Sequence, residues 1–205
     1  MFDAVVRDRL ERPLDRVAAG LDRSWVTPDR LTLAGLVVAL ASAGLAAMAL
    51  WPWAVATWLL SRLLDGLDGP LARRRGGGTA AGGFLDITAD FVAYGAGVVG
   101  IAWACADRPW EWLGFLAVLL AYYVNGAAFL AFSSAAERTG SRLEDGRTFS
   151  FLGGLAEGTE TIAVHTVWML LPASAPVVAW GWAGVVGVSA AQRMVVGHRV
   201  LGEAS

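Results

Sequence analysis

The sequence has no lysine, one cysteine and few charges of either sign. All 16 of its cationic side chains are arginine, Asp and Glu together number 18, and the formal net charge is −2. A chain without an overall basic field is a poor candidate for nucleic-acid binding. The single Cys105 excludes an internal disulfide and lies in an apolar run, as a packing residue does. No secretory signal peptide is expected, because the first apolar run begins near residue 31 and is too long.

The scarcity of charge indicates a membrane protein. Of 205 residues, 56% are hydrophobic and only 17% are charged, which is too apolar for an ordinary soluble domain. About 20 helical residues cross the hydrocarbon thickness of about 30 Å. The sequence therefore predicts an all-α integral membrane protein whose residues 27–205 form one six-span domain. The spans are expected at about 31–50, 54–75, 82–106, 112–132, 149–171 and 177–196, with Trp51-Pro52-Trp53 as a tight turn.

Residues 1–26 predict an amphipathic helix next to the membrane. Apolar side chains recur at steps of three and four over residues 2–21, and arginines alternate with acids on the other side. We expect this helix to lie on the membrane surface. The alternative is a helix that packs on another element, and Pro13 is a candidate break or kink in either case.

The arginines are distributed asymmetrically between the two predicted sides. Six spans place both termini on one side, and that side holds Arg7, Arg9, Arg12, Arg16, Arg23, Arg30, Arg73, Arg74, Arg75, Arg138, Arg142, Arg147, Arg193 and Arg199. The opposite side holds Arg108 alone, and Arg62 falls within a span. Positive charge stays on the cytoplasmic side, so both termini and the acidic stretch described next are expected there, in the cell membrane.

The stretch from Asp65 to Asp90 carries the chemistry. Asp65 and Asp68 are three residues apart, and Asp86 and Asp90 are four apart, so each pair shares one helix face. The loop between the two helices is short, which predicts antiparallel neighbours and four converging carboxylates. Divalent cations, Mg²⁺ or Mn²⁺ first, are the simplest way to keep them ionised. Pro70 cannot donate a hydrogen bond to the carbonyl of Gly66, which leaves that oxygen as a further candidate ligand.

This spacing resembles the signature of the CDP-alcohol phosphotransferase (CDP-alcohol phosphatidyltransferase) family, DxxDGxxAR followed by eight residues and GxxxDxxxD. All eight fixed positions match: Asp65, Asp68, Gly69, Ala72, Arg73, Gly82, Asp86 and Asp90. The resemblance implies transfer of a substituted phosphoryl group from a CDP-linked donor to an alcohol, with release of CMP. It also implies two Mg²⁺ or Mn²⁺ ions and a homodimer.

Site roles follow from the resemblance position by position. Asp65, Asp68 and Asp86 correspond to metal ligands, and Asp90 to a ligand that also acts as the base toward the attacking hydroxyl. The residues that correspond to the CDP-donor site are Gly69, Ala72, Arg73, Thr79 and the stretch Pro28, Asp29, Arg30, Leu31. Asp29 stands where family members often carry Asn. From the residues alone, Thr27 and Pro28 predict a helix start.

The acceptor alcohol is expected near the predicted fourth and fifth spans. Glu157 and Glu160 stand where members that use phosphorylated acceptors usually add basic residues, which favours an uncharged or cationic alcohol over inositol phosphate or glycerol phosphate. Arg138 and Arg142 lie in the preceding loop and are candidate acceptor residues, as are the two glutamates. In the alternative interpretation the glutamates pair with these arginines or orient a ligand. The chain also lacks the REFxVSGLR-like stretch of bacterial glycerophosphate-transferring members.

Three functions compete at this point. The first is a phosphatidyltransferase that uses CDP-diacylglycerol and a small polar alcohol in phospholipid synthesis. The same aspartates would serve in the transfer of a CDP-linked head group to a lipid alcohol. A small cation-coupled transporter is more distant, because transporter sites lie near the bilayer midplane on broken helices. An inactive scaffold is disfavoured by the intact aspartates.

Overall fold

The computed structural model describes residues 3–139 and 156–203, and helices make up nearly all of both ranges. The elements of the described chain are α1 (Asp3–Leu21), α2 (Pro28–Ala47), α3 (Trp51–Arg74), α4 (Ala80–Cys105), α5 (Pro109–Thr139), α6 (Gly158–Leu170), a short 3₁₀ turn (Pro172–Ser174) and α7 (Ala175–Glu203). The predicted all-α class is confirmed.

Within the described ranges, four helical segments are long and apolar enough to cross a membrane: Pro28–Ala47, Ala80–Cys105, Pro109–Arg138 and Pro172–Glu203. Helix α3 has 24 residues, but it carries arginines and aspartates in its second half. Helix α6 has 13 residues, and the first part of the predicted fifth span, residues 149–155, lies outside the described residues. The chain is thus a membrane protein with several apolar helices.

Several helix boundaries differ from the prediction. Trp51-Pro52-Trp53 was expected as a tight turn but forms the first turn of α3, where Pro52 is tolerated because its missing N–H would have no intrahelical partner. The chain turns instead at residues 48–50, where Ala49 has a positive φ of 57°. Helix α7 continues through most of the predicted polar tail, and α1 runs through Pro13 without a break.

Helix α2 is the centre of the half of the bundle that carries the aspartates. It packs closely against both α3 and α4, whereas the backbones of α3 and α4 scarcely approach each other within the described ranges. Glycines allow the close packing: a Cβ on Gly35 would lie 3.2 Å from the carbonyl oxygen of Ser61, and one on Gly100 would overlap the carbonyl of Ala43. The predicted neighbours α3 and α4 therefore meet through their side chains and not through close packing of their backbones.

Helix α1 docks on the C-terminal half of α3. Its buried Ala18, with Leu14 and Leu21, packs against Leu67 and Leu71 of α3. Two ion-pair clusters reinforce the contact: Arg73 lies 3.8 Å from Asp15, and Arg74 and Arg75 lie 3.9 and 2.8 Å from Asp22. Part of the apolar face of α1 is thus covered by protein, as the alternative interpretation held.

Candidate active site

Three of the four predicted carboxylates form one cluster. Each of Asp65 and Asp68 of α3 and Asp86 of α4 offers an oxygen within 4.8 Å of the oxygens of the other two. Thr32 of α2 donates a hydrogen bond from Oγ1 to Asp68 Oδ2, so three helices build the cluster. Oxygen ligands at this separation suit a hard divalent cation such as Mg²⁺ or Mn²⁺. The donor set of this chain therefore fits the metal that the sequence predicts.

The fourth carboxylate, Asp90, lies next to this cluster and is joined to it through an arginine. Arg62 Nη1 donates to Asp90 Oδ1 at 2.6 Å and lies 3.5 Å from Asp65 Oδ2. Convergence of all four carboxylates was expected, and the described structure brings three together directly. Sequence reasoning gave Arg62 no role, although a charged residue within an apolar span is itself a signal of a functional site.

A cavity of about 370 Å³ opens beside Asp68 and Asp86. The first turns of α2 and α4 line it, together with the end of α3 and the glycine-rich loop. Thr27 caps α2 by accepting a hydrogen bond from Arg30 N at 3.3 Å, as predicted, and Thr79 caps α4 by accepting from Gly82 N at 3.0 Å. The positive ends of two helix dipoles therefore meet at the cavity, which suits a phosphate group.

The glycine-rich loop shapes one wall of this cavity. Gly76 and Gly77 have φ angles of 100° and 112°, a region that residues with a Cβ rarely adopt. The amide of Gly77 returns to the carbonyl of Ala72 at 3.0 Å and closes the end of α3. The loop is thus a tight helix end, and Gly77 and Gly78 face the cavity.

Most residues that the sequence assigns to the CDP donor line this cavity. They are Pro28, Asp29, Gly69, Ala72 and Thr79. Arg30, Leu31 and Arg73 are not among the lining residues: Arg30 donates to the carbonyl of Trp25, Leu31 is buried in the small apolar cluster beneath α1, and Arg73 turns toward Asp15.

Arg75 lines the cavity in the place expected for Arg73. Its guanidinium donates to Asp22 Oδ1 at 2.8 and 2.9 Å and to the carbonyl of Arg23 at 2.8 Å. Sequence reasoning missed this residue because the motif fixes only Arg73, and Arg75 lies outside it. Gly66, the source of the candidate carbonyl ligand, faces α1, where a Cβ would lie 3.8 Å from Leu14 Cδ1.

The predicted acceptor residues lie around the start of α6. Glu157 is the N-cap residue of α6, and Glu160 is in its first turn. Arg138 is in the last turn of α5, where Nε donates to the carbonyl of Ser134 at 3.4 Å, and Arg142 lies outside the described residues. Arg193 of α7, which sequence reasoning had counted only as a cytoplasmic charge, is buried.

Comparison with known proteins decides the family. The CDP-alcohol phosphatidyltransferase family profile matches residues 25–191, most of the chain, including every fixed position of the aspartate motif. The chain belongs to this family. The resemblance drawn from the motif is confirmed, and the family is one of enzymes.

Two relatives of this CDP-alcohol phosphatidyltransferase family member match most of its length. Inner membrane protein YnjF of Escherichia coli is 38% identical over 177 residues, covering 84% of each chain. Phosphatidylinositol phosphate synthase of Mycobacteroides abscessus is 31% identical over 170 residues, covering 80% of this chain and 71% of the relative.

Solved structures of a third relative share the fold of this family member. Phosphatidylinositol phosphate synthase (PgsA1) of Mycobacterium tuberculosis, with CDP-DAG bound, superposes with a TM-score of 0.73 at 28% identity and covers 91% of this chain and 94% of its own. The same enzyme in complex with manganese and citrate gives a TM-score of 0.72 at 28% identity, with 90% and 88% covered.

Proposed function

We propose that the protein transfers a phosphatidyl group from CDP-diacylglycerol to a small polar alcohol and releases CMP. The observation that carries this proposal is the carboxylate cluster of Asp65, Asp68 and Asp86 at the edge of a cavity lined by two helix N-termini. Divalent cations held by the carboxylates would offset the charge of a pyrophosphate, and the N–H groups of the two helix N-termini would donate hydrogen bonds to it. The relative with CDP-DAG bound favours a lipid on the donor rather than on the acceptor.

Asp65, Asp68, Asp86 and Asp90 are proposed to hold two divalent cations, Mg²⁺ or Mn²⁺, with the Gly66 carbonyl as a further candidate ligand. When bound, the cations offset the charge of the pyrophosphate and of the departing CMP. Two observations support this proposal. Carboxylate oxygens of Asp65, Asp68 and Asp86 lie within 4.8 Å of one another, and a relative has been solved in complex with manganese. Thr32 orients Asp68 through its hydroxyl.

The donor is proposed to lie in the cavity beside the cluster. The capped first turns of α2 and α4 present N–H groups to its phosphates, and Gly69 lets it approach the backbone of α3. Arg75, which bonds to Asp22 and lines the same cavity, is proposed to contact the donor. Arg73 keeps its proposed donor role only if it leaves Asp15, at 3.8 Å, when the donor binds.

In the proposed reaction the acceptor hydroxyl oxygen attacks the phosphorus that carries the diacylglycerol. The new O–P bond forms as the bond from that phosphorus to the oxygen of CMP breaks, and Asp90 takes the hydroxyl proton. Positioning and charge neutralisation contribute most in reactions of this kind. The Asp90 side chain is 31% exposed and is therefore accessible to an acceptor.

The acceptor is proposed to be an uncharged or cationic alcohol. Support comes from the acidic side chains of Glu157 and Glu160 at the start of α6. Because the relatives include phosphatidylinositol phosphate synthases, inositol phosphate is the acceptor against which this proposal has to be tested.

The wider arrangement is proposed as six spans with both termini and the active site on the cytoplasmic side of the cell membrane. Helix α3 and a fifth span that includes α6 complete the six. The exposed Val17 supports contact of α1 with the membrane surface alongside its docking on α3. A homodimer is expected, as in related family members.

An assay of CMP release tests the function directly. Purified protein is given CDP-diacylglycerol and a panel of acceptors that includes inositol, serine, ethanolamine, inositol phosphate and glycerol phosphate. We expect release that depends on Mg²⁺ or Mn²⁺, and mass spectrometry of the lipid product identifies the acceptor. A parallel reaction with CDP-choline and diacylglycerol tests transfer of a head group.

A matched pair of variants ties the activity to the site. Asp86→Asn should reduce release by at least about 10²-fold, because it removes a charged ligand of the cluster. Asp107→Asn, just beyond the far end of the same helix, should retain full activity. Absence of metal-dependent CMP release with every acceptor would refute the proposed function.

A further inference from the structure

A buried arginine outside the aspartate motif contacts two of the four aspartates. Arg62 is 8% exposed and precedes Asp65 by one helical turn of α3. Its Nη1 lies 2.6 Å from Asp90 Oδ1 on α4 and 3.5 Å from Asp65 Oδ2. It forms the ion pair across the space that separates the backbones of α3 and α4.

Aromatic rings hold this guanidinium in place. The ring centroid of Trp58, one turn earlier on α3, is 5.1 Å from Arg62 Cζ, and that of Tyr94, one turn after Asp90 on α4, is 5.3 Å away. Both separations are within the range of cation–π attraction. Nε also donates to Ser61 Oγ at 3.3 Å.

A buried histidine packs against the rings of Trp58 and Tyr94. His165 of α6 is fully buried and stacks on Trp58, with ring centroids 5.0 Å apart and planes at 22°. Its two ring nitrogens lie 2.9 Å from the carbonyl oxygen of Thr161 and 3.3 Å from that of Tyr94. Arg62 therefore occupies a rigid pocket made from three helices.

We infer that Arg62 is a positioning residue for the transfer reaction, because it fixes the orientation of the Asp90 carboxylate. The inference rests on the proposed function, in which Asp90 takes the acceptor proton. The short charge-assisted bond occupies Oδ1 and leaves Oδ2 as the oxygen that accepts the proton while the acceptor oxygen bonds to phosphorus and CMP departs. Without the bond the carboxylate rotates, and a misplacement of about 1 Å costs up to about 10²-fold in rate.

The test compares Arg62→Met, Arg62→Lys, Asp90→Asn and the double variant Arg62→Met/Asp90→Asn in CMP release. Arg62→Met should lower kcat by about 10- to 100-fold, with KM for the donor within about twofold of wild type. Arg62→Lys keeps the charge but not the planar fork, so its kcat should lie between those of wild type and Arg62→Met. In the Asp90→Asn background, Arg62→Met should produce no further loss, because the two residues act as one unit.

The exposed Arg108→Met, at the opposite end of the bundle, controls for the loss of one positive charge and should match wild type. Thermal unfolding is measured for each variant, and if Arg62→Met fails to fold, the kcat of Arg62→Lys decides.

An unchanged kcat in the folded Arg62 variants overturns the inference and leaves the proposed function intact. If Arg62→Met lowers the activity of Asp90→Asn by the same factor as that of wild type, Arg62 acts independently of Asp90, and this result also overturns the inference. A wild-type protein that releases no CMP overturns both.

Discussion

Single glycines set the spacing of the helices around the site, and α4 offers a matched pair to show it. Gly100→Ala would drive a methyl group into the backbone of Ala43, which cannot move aside without shifting α2. Gly95, on the same helix, has no atom within 4 Å of an added Cβ. We expect Gly100→Ala to cost about 1–3 kcal/mol and Gly95→Ala to be neutral or stabilising by up to about 1 kcal/mol.

Thermal unfolding in detergent, followed by tryptophan fluorescence, measures the difference. A shift of 1 kcal/mol corresponds to about 2–4 °C in a chain of this size, so Gly100→Ala should lower Tm by about 2–12 °C. Equal Tm values for the two variants would show that α2 and α4 do not pack as closely as described.

At the level of single residues, the sequence could predict the chemistry of the site better than its supporting contacts. The offsets of Asp65, Asp68 and Asp86 place them on two helix faces, and those three do meet. The contacts of Thr32 and Arg62 depend on how α2 packs against α3 and α4, which no local pattern encodes. Arg62 was nevertheless detectable, because a charge within an apolar span needs a partner.

At the level of helices, two sets of ion pairs link α1 to α3, and the pair between Asp22 and Arg75 should contribute most of their stabilisation. Asp22 accepts two hydrogen bonds from Arg75 at 2.8 and 2.9 Å, whereas the Asp15–Arg73 pair is 3.8 Å apart and more exposed. Asp22→Asn should therefore weaken docking by about 0.5–1 kcal/mol, and Asp15→Asn by less.

Hydrogen–deuterium exchange of the α1 amides checks this ranking. Exchange over residues 14–21 should speed up about two- to fivefold in Asp22→Asn, since local opening follows the lost free energy. Faster exchange in Asp15→Asn than in Asp22→Asn would contradict the contact as described.

Helix ends were harder to predict than helices. The tryptophans around Pro52 favoured an interfacial turn, yet proline fits the first turn of a helix equally well, and α3 begins there. The short loop correctly indicated that α3 and α4 are neighbours, but nothing in the sequence indicated that Gly35 and Gly100 bring α2 close to both. Contacts between distant segments decided that arrangement.

For the whole molecule, the arginine asymmetry predicts which side of the membrane holds the site. Since Cys105 is the only cysteine, Cys105→Ala gives a background for single-cysteine labelling. Gly78→Cys, in the loop at the cavity, should resist a membrane-impermeant maleimide in intact cells, and Ala173→Cys, in the opposite turn, should react. Both should react once the cells are permeabilised. The reverse pattern in intact cells would invert the proposed topology.

We propose that bound divalent cations join α3 and α4 through their aspartates. Anomalous diffraction from crystals grown with Mn²⁺ locates such ions. We expect a manganese peak within about 2.0–2.5 Å of carboxylate oxygens of Asp65, Asp68 and Asp86, and its loss in Asp86→Asn crystals. Wild-type crystals saturated with Mn²⁺ that show no anomalous peak among these three side chains would show that the aspartates do not hold a cation.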